Sequence, residues 1–208
     1  MKSILIALSL FMTASLAAQH SIGLEVGSGI LYDSYRIDGG PLESFDYYTD
    51  LPGYYGGVNY GYQTSDVLRL GLSMTIADEY EKSDDVLVID RTYRWRILRA
   101  TPTVSYMLHP KLTVSIGPDV AYYAQAAFKE DDEWINSGFL GSDFRFGGYT
   151  GIDYLLGNSI YLAASYRLNH VNLGEWAFTN DQGEVVISGD LHQYMHNLRL
   201  GLAYRFQL

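Results

Sequence analysis

Toward its end the chain alternates strictly: Leu198, Leu200, Leu202, Tyr204, Phe206 and Leu208 are interleaved with Asn197, Arg199, Gly201, Ala203, Arg205 and Gln207. In an extended strand successive side chains point to opposite faces, so this segment has one apolar and one polar face. A helix would scatter the same residues around its circumference. The rhythm recurs along the chain, which restricts the fold to one that gives every strand two unlike surroundings.

Eight such segments can be laid out. The first sets Ile22, Leu24, Val26, Ile30 and Tyr32 against Gly23, Glu25, Gly27 and Gly29, and a polar, turn-rich stretch follows over 33–52. The second sets Tyr54, Val58, Tyr60 and Tyr62 against Gly57, Asn59, Gly61 and Gln63, and ends in a tight connection at 64–66. In the third, Leu68, Leu70, Leu72, Met74 and Ile76 oppose Arg69, Gly71, Ser73, Thr75 and Ala77, before a charged connection over 78–90. The fourth begins with Tyr93, Trp95 and Ile97 as its apolar set, against Arg94 and Arg96. It then slips phase to Leu98, Ala100, Pro102, Val104 and Tyr106. That slip predicts a β-bulge near Ile97 and Leu98.

After a short turn at 109–111, the fifth segment places Leu112, Val114, Ile116, Val120, Tyr122 and Phe128 against Thr113, Ser115, Gly117, Asp119, Tyr123 and Gln125. A long connection over 129–142 leads to the sixth, where Phe144, Phe146, Ile152 and Tyr154 oppose Arg145, Gly147, Tyr149, Gly151 and Asp153. Gly157-Asn158 predicts the third short turn. The seventh sets Ile160, Leu162, Ala164, Tyr166 and Leu168 against Ala163, Ser165, Arg167 and Asn169, and the last long loop covers 172–190. Long and short connections therefore alternate. Pro102 and Pro118 fall inside strands, where proline marks an edge or a bulge.

Ahead of these segments, Lys2 supplies a positive start, residues 4–16 an apolar stretch, and Ala17-Ala18 a small-residue cleavage site, which predicts a signal peptide over 1–18. Residues 19–208 then form a single all-β domain of about 190 residues. No later stretch reaches the ~18 apolar residues of a membrane-spanning helix. There is no cysteine, which excludes disulfides, cysteine-ligated metals and a lipidated cysteine anchor. The formal net charge of −10, or −11 once Lys2 leaves with the leader, argues against nucleic acid as a partner.

Alternation alone also suits a soluble lipocalin-like barrel, and the composition of the two faces decides between them. An eight-stranded barrel has room inside only for side chains that fill it. The apolar face carries more than ten tyrosines and phenylalanines besides its leucines, a volume that does not fit within. The other face is mostly Gly, Ser, Thr and Ala with sparse Arg and Asp and no lysine, unlike a water-facing surface rich in mixed charges. The aromatics gather toward strand ends, as in the two interfacial girdles of a membrane barrel. The expected fold is an all-β, eight-stranded, antiparallel up-and-down transmembrane β-barrel.

With these residues in view, the chain resembles the small outer-membrane β-barrel family of Gram-negative bacteria, in particular its PorT-like and OmpX-like members. The resemblance rests on Gly117-Pro118, Gly151-Ile152-Asp153-Tyr154, Tyr166-Arg167 and the final Arg199 to Phe206. In that last stretch Gly201, Tyr204 and Phe206 are similar to the signal such barrels present to their insertion machinery, with Gln207 and Leu208 following the last aromatic. The resemblance implies outer-membrane lipids and lipopolysaccharide as surroundings, and shared fold without a shared reaction.

One segment touches on catalysis. Tyr166 to Asn172 is similar to the histidine-containing strand of outer-membrane lipid A deacylases, whose serine nucleophile lies two residues after the histidine. Here His170 is followed at that distance by Asn172, and Ser165 lies on the opposite face, so acyl transfer lacks a nucleophile. His192 and His196 share a face but lie ~13 Å apart along a strand, too far to share a metal. Acidic runs at 130–133 with Asp143, and at Asp78, Glu79, Glu81, Asp84 and Asp85, read as solvated loop charge, with weak divalent-cation binding as the sharper reading. No cofactor or metal site is expected.

The expected role is structural or surface-interacting, with a filled, non-conducting lumen. That lumen is closed by a charge network of Glu25, Arg69, Arg99, Asp119, Arg145, Asp153, Arg167, Arg199 and Arg205, all on the small-residue face. Glu25 is expected near Arg199 or Arg205, and Asp119 near Arg99. A lipid A-modifying enzyme using His170 and a small pore are the alternatives. Short turns and both termini are expected in the periplasm and long loops outside, facing an unidentified surface or secretion-system partner.

Overall fold

The computed structural model describes residues 20–38, 45–48, 52–83, 91–130, 133–136, 143–179 and 185–207. Residues 1–19 and Leu208 lie outside them. The strands are β1 (His20–Ile37), β2 (Phe45–Tyr48), β3 (Gly53–Gln63), β4 (Leu68–Ser83), β5 (Arg91–His109), β6 (Leu112–Glu130), β7 (Glu133–Asn136), β8 (Asp143–Gly157), β9 (Ile160–Thr179) and β10 (Val185–Gln207). Eight of them follow one another as antiparallel neighbours in the order β1, β3, β4, β5, β6, β8, β9, β10. The ring closes where β10 pairs with β1, from Ser21 opposite Gln207 to Ile37 opposite Leu191. Closure gives each of these eight strands a neighbour on both sides, which is what allows such a sheet to stand in a membrane. The short strands β2 and β7 lie within two long connections and pair with β1 and β6. No helix among the described residues is long and apolar enough to cross a membrane.

The outer face follows the alternation. Val26, Tyr54, Met74, Ile116, Phe144, Phe146, Leu198, Leu200 and Phe206 are exposed around the ring, while Thr75, Arg99, Asp119, Arg145, Arg167, Asn169 and Arg199 are buried within it. Glycine pairs make room for large side chains inside. Gly27 stands opposite Gly201, and a methyl group on Gly201 would overlap the Tyr55 hydroxyl that lies over the pair.

β5 departs from the expected pattern. Trp95 and Ile97 point inward, 6% and 0% exposed, while Leu98 is 44% exposed on the outside. Pairing is uninterrupted along β4, so β5 keeps one phase and carries no bulge at Ile97-Leu98. The extra residue sits on the facing strand: Arg96 pairs with Gln125 and Ile97 with Tyr123, leaving Ala124 without a counterpart. The physical reason is an inversion of polarity along the barrel axis. At the long-loop end the interior is filled by Leu31, Trp95, Ile97, Ala121, Tyr123 and Met195, and outside Arg96 has passed the apolar band to bond Asp78. The side chains of Gln125 and Phe128 lie outside the described residues.

The two strand prolines explain each other. Ala100 pairs with Val120 and Val104 with Ile116, so the register brings Pro102 opposite Pro118, where neither residue has an N–H to contribute. The third short turn is centred one residue later than expected. Asn158 and Ser159 form it with φ of 41° and 77°, the positive values of a two-residue hairpin turn whose twist matches its strands. Strands also run further into the long connections than expected, β4 to Ser83 and β10 from Val185. The hydrogen-bond ladder thus continues after the hydrophobic rhythm has stopped.

Candidate functional site

Inward-facing side chains divide the lumen into three levels, and the middle one holds the densest set of charges. There Arg99 donates from Nη1 to Asp119 at 2.7 Å and to the Asn169 side-chain oxygen at 2.6 Å. Asp119 also accepts from Thr101 at 2.7 Å and from the Asn169 amide at 3.0 Å, and Arg167 approaches it at 3.5 Å. Glu79 accepts from Arg199 at 2.5 Å, with Arg99 at 3.5 Å on its other oxygen. Three guanidiniums thus share two carboxylates. Their excess charge leans on rings: Arg199 lies 4.6 Å over Tyr55, and Arg167 4.9 Å over Tyr149. Burial makes an unpaired charge costly, and planar guanidinium forks suit several acceptors at once. Asp119, bonded by three donors with Arg167 close by, braces the wall.

Toward the long-loop end, Gln193 links two further charges, accepting from Arg145 at 3.0 Å and donating to Asp33 at 2.8 Å. The Arg145 guanidinium lies 4.1 Å over the Tyr123 ring, which meets Trp95 edge-on. Toward the short-turn end the packing loosens. Arg205 bonds Asp153, Arg69 bonds Ser21 at 2.6 Å, and Ser105 bonds Ser115 at 2.8 Å beside two small cavities.

Glu25, expected near Arg199 or Arg205, borders the same small cavity as Arg205. It accepts from Tyr55 at 2.8 Å and from Asn59 at 3.0 Å, and no ion pair involves it among the described residues. Ala203 is its neighbour on β10, and Arg199 turns instead toward Glu79. Glu79 is the main residue that sequence reasoning misplaced: expected in a solvated acidic run, it is 3% exposed inside the barrel. The signal was present in the parity of Arg69, Gly71, Ser73, Thr75 and Ala77, which continues to Glu79. Asp33 was assigned to a loop for the same reason and continues the inward set of β1. Of the remaining acids, Asp78 pairs on the outer face with Arg96 at 2.8 Å, Asp143 lies 3.3 Å from Arg145, and Glu133 is exposed. Residues 84, 85, 131 and 132 and the side chains of Glu81 and Glu130 lie outside the described residues.

His170 faces outward near the long-loop end, stacked on His192, which it meets at 3.0 Å. His192 in turn reaches Asp38 at 3.1 Å. Asn172 is occupied by Asp190 and the Gly174 amide, and Ser165 is inside, bonded to Arg167. No hydroxyl is hydrogen-bonded to His170 among the described residues. His196 is engaged separately, with Ser34 and Tyr166. Among the described residues no three His, Asp or Glu side chains converge as a metal site would require. Of the expected insertion signal, Gly201 lies inside beneath Tyr55, while Tyr204 and Phe206 pack ring to ring on the outer face, 4.6 Å apart.

Among solved structures the fold is similar to that of neisserial surface protein A, 16% identical over 88% of this chain and 97% of that one, with a TM-score of 0.48. It is also similar to Ail of Yersinia pestis, 12% identical over 90% and 99%, TM-score 0.46. OprG of Pseudomonas aeruginosa is 12% identical over 89% and 95%, TM-score 0.47. No curated protein matches the sequence. Residues 3–206 match the model of the outer membrane protein beta-barrel domain. A closed eight-stranded ring with an apolar outer belt and a family match over nearly the whole chain have one meaning: the protein is an outer-membrane β-barrel and belongs to the outer membrane protein beta-barrel domain family.

Proposed function

We propose that this barrel is a non-conducting structural or surface-interaction protein without enzymatic activity. The observation that carries the reading is the middle layer of the lumen, where Glu79, Arg99, Asp119 and Arg199 join β4, β5, β6 and β10 across the interior. Above it Ile97, Tyr123 and Met195 are almost completely buried. Opening a water path would separate several desolvated ion pairs at once, each leaving charges without partners.

In this reading the short turns at residues 64–67, 110–111 and 158–159 lie in the periplasm and the long connections outside, the usual arrangement in such barrels. On the outer side Tyr80, Trp134 and Arg94 form a cluster beyond the apolar belt, Arg94 lying 4.9 Å over the Trp134 ring. Aromatic rings and arginine are the residue types that dominate contact energies at protein interfaces. That is the region to search for a surface or secretion-system partner. Planar-bilayer recording of the purified protein tests the closed lumen: no steady conductance is expected, and stable open channels overturn the reading in favour of a pore.

A further inference from the structure

The short-turn end of the lumen is packed more loosely than the rest. A cavity of about 100 Å³ opens at the short-turn end, lined by His20, Ser21, Gln63, Arg69, Tyr161 and Arg205 among others. Among the described residues no carboxylate is in its wall. Two guanidiniums and an imidazole are. Arg205 has part of its charge met by Asp153, which borders the next, smaller cavity, and it lies 4.1 Å over the Tyr161 ring. Its Nε is buried and has no hydrogen-bond partner. Arg69 has less. Among the described residues no carboxylate lies within ion-pair distance of it, Glu25 and Asp153 facing it only across the adjoining smaller cavity, and its side chain bonds the neutral Ser21 hydroxyl.

Arg69 is nevertheless held in place. Its guanidinium lies directly against the Gly61 backbone, where a methyl group would overlap Nε and Nη2. Glycine at that position is therefore a seat for the guanidinium, reached because Gln63 and Arg69 flank the short connection and pair across it. A cation this well positioned, without a carboxylate in direct contact and beside a second cation, favours a negative ligand.

We propose that this cavity is a binding site for a small oxyanion of the phosphate or sulfate class, held by Arg69 and Arg205 with Ser21 and Gln63 as neutral hydrogen-bonding groups. The volume admits one tetrahedral anion or about three waters, whose share of liquid volume is about 30 Å³ each. Two guanidiniums presenting planar forks favour the anion, which can accept several charge-assisted bonds at once. The middle ion-pair layer closes the inner end, so the site is a blind vestibule reached from the short-turn side. Because the proposal concerns equilibrium binding, it stands whether or not the barrel conducts.

The test uses the full-length protein refolded in detergent micelles, with inorganic phosphate as the probe and sodium chloride as the control at equal ionic strength. The arginine side-chain NMR signals of Arg69 and Arg205 are expected to shift saturably with phosphate and not with chloride. Arg69→Gln should abolish the saturable shift of Arg205, and Arg36→Gln, at the exposed far end, should leave it intact. Should Arg69→Gln fail to refold, Arg69→Lys keeps the charge but loses the fork, and is expected to weaken phosphate binding about tenfold. Absence of saturation, an equal response to chloride, or unchanged binding in Arg69→Lys overturns the proposal.

Discussion

Glu79 and Arg199 lie 120 residues apart in the chain and meet at 2.5 Å inside the barrel. Their strands, β4 and β10, are separated in the ring by β3 and β1, so the bond crosses the lumen instead of running along its wall. It joins the first half of the ring to the last strand. Glu79→Gln leaves Arg99 and Arg199 buried with one carboxylate fewer, and should destabilise the barrel by about 3–5 kcal/mol in urea unfolding of the micelle-bound protein. Replacing both partners, Glu79→Leu with Arg199→Met, should recover much of that loss, because the penalty belongs to the orphaned charge.

The inward position of Ile97 is checked by its neighbour. Ile97→Ala removes a fully buried side chain among Trp95, Tyr123 and Met195 and should cost about 2–5 kcal/mol in the same assay. Leu98→Ala, on the outer face, should cost much less. Equal losses, or the reverse order, would return β5 to the phase that its sequence suggests.

Orientation can be read from intact cells. A cysteine introduced at Ser65 in a short turn should resist a membrane-impermeant thiol reagent, and one at the exposed Glu175 should react. The protein has no native cysteine, so the label reports the introduced site alone. Labelling at Ser65 would invert the topology.

His170 separates the structural reading from the enzymatic one. With His192 as its hydrogen-bond partner and Asn172 where the deacylase pattern has serine, His170→Ala should leave lipid A acylation unchanged. It should alter stability by no more than ~1 kcal/mol, as at an ordinary partly exposed position. A deacylation that depends on the wild-type histidine would establish the enzyme.

The eight strands, their faces and the membrane setting were legible because period-two alternation is a local record of what each face meets. Leu198 to Phe206 carries that record within one strand, and Phe144, Arg145 and Phe146 carry it in three residues. The record fails where the surroundings change along the axis. Trp95 and Ile97 continue an inward row at a level where the lumen is apolar and the outside polar, so hydrophobicity alone assigns them to the wrong face. Glu79 and Asp33 lie past the point where alternation stops but the backbone ladder continues, and a charge there reads as loop. Which charges meet is a further step removed. Arg99 reaches Asn169 and Arg199 reaches Glu79 because closure and stagger of the ring bring distant strands to the same height. Alternation determines which face a residue occupies, whereas its height and its partner across the lumen depend on the register of all eight strands together, which only the closed tertiary structure sets.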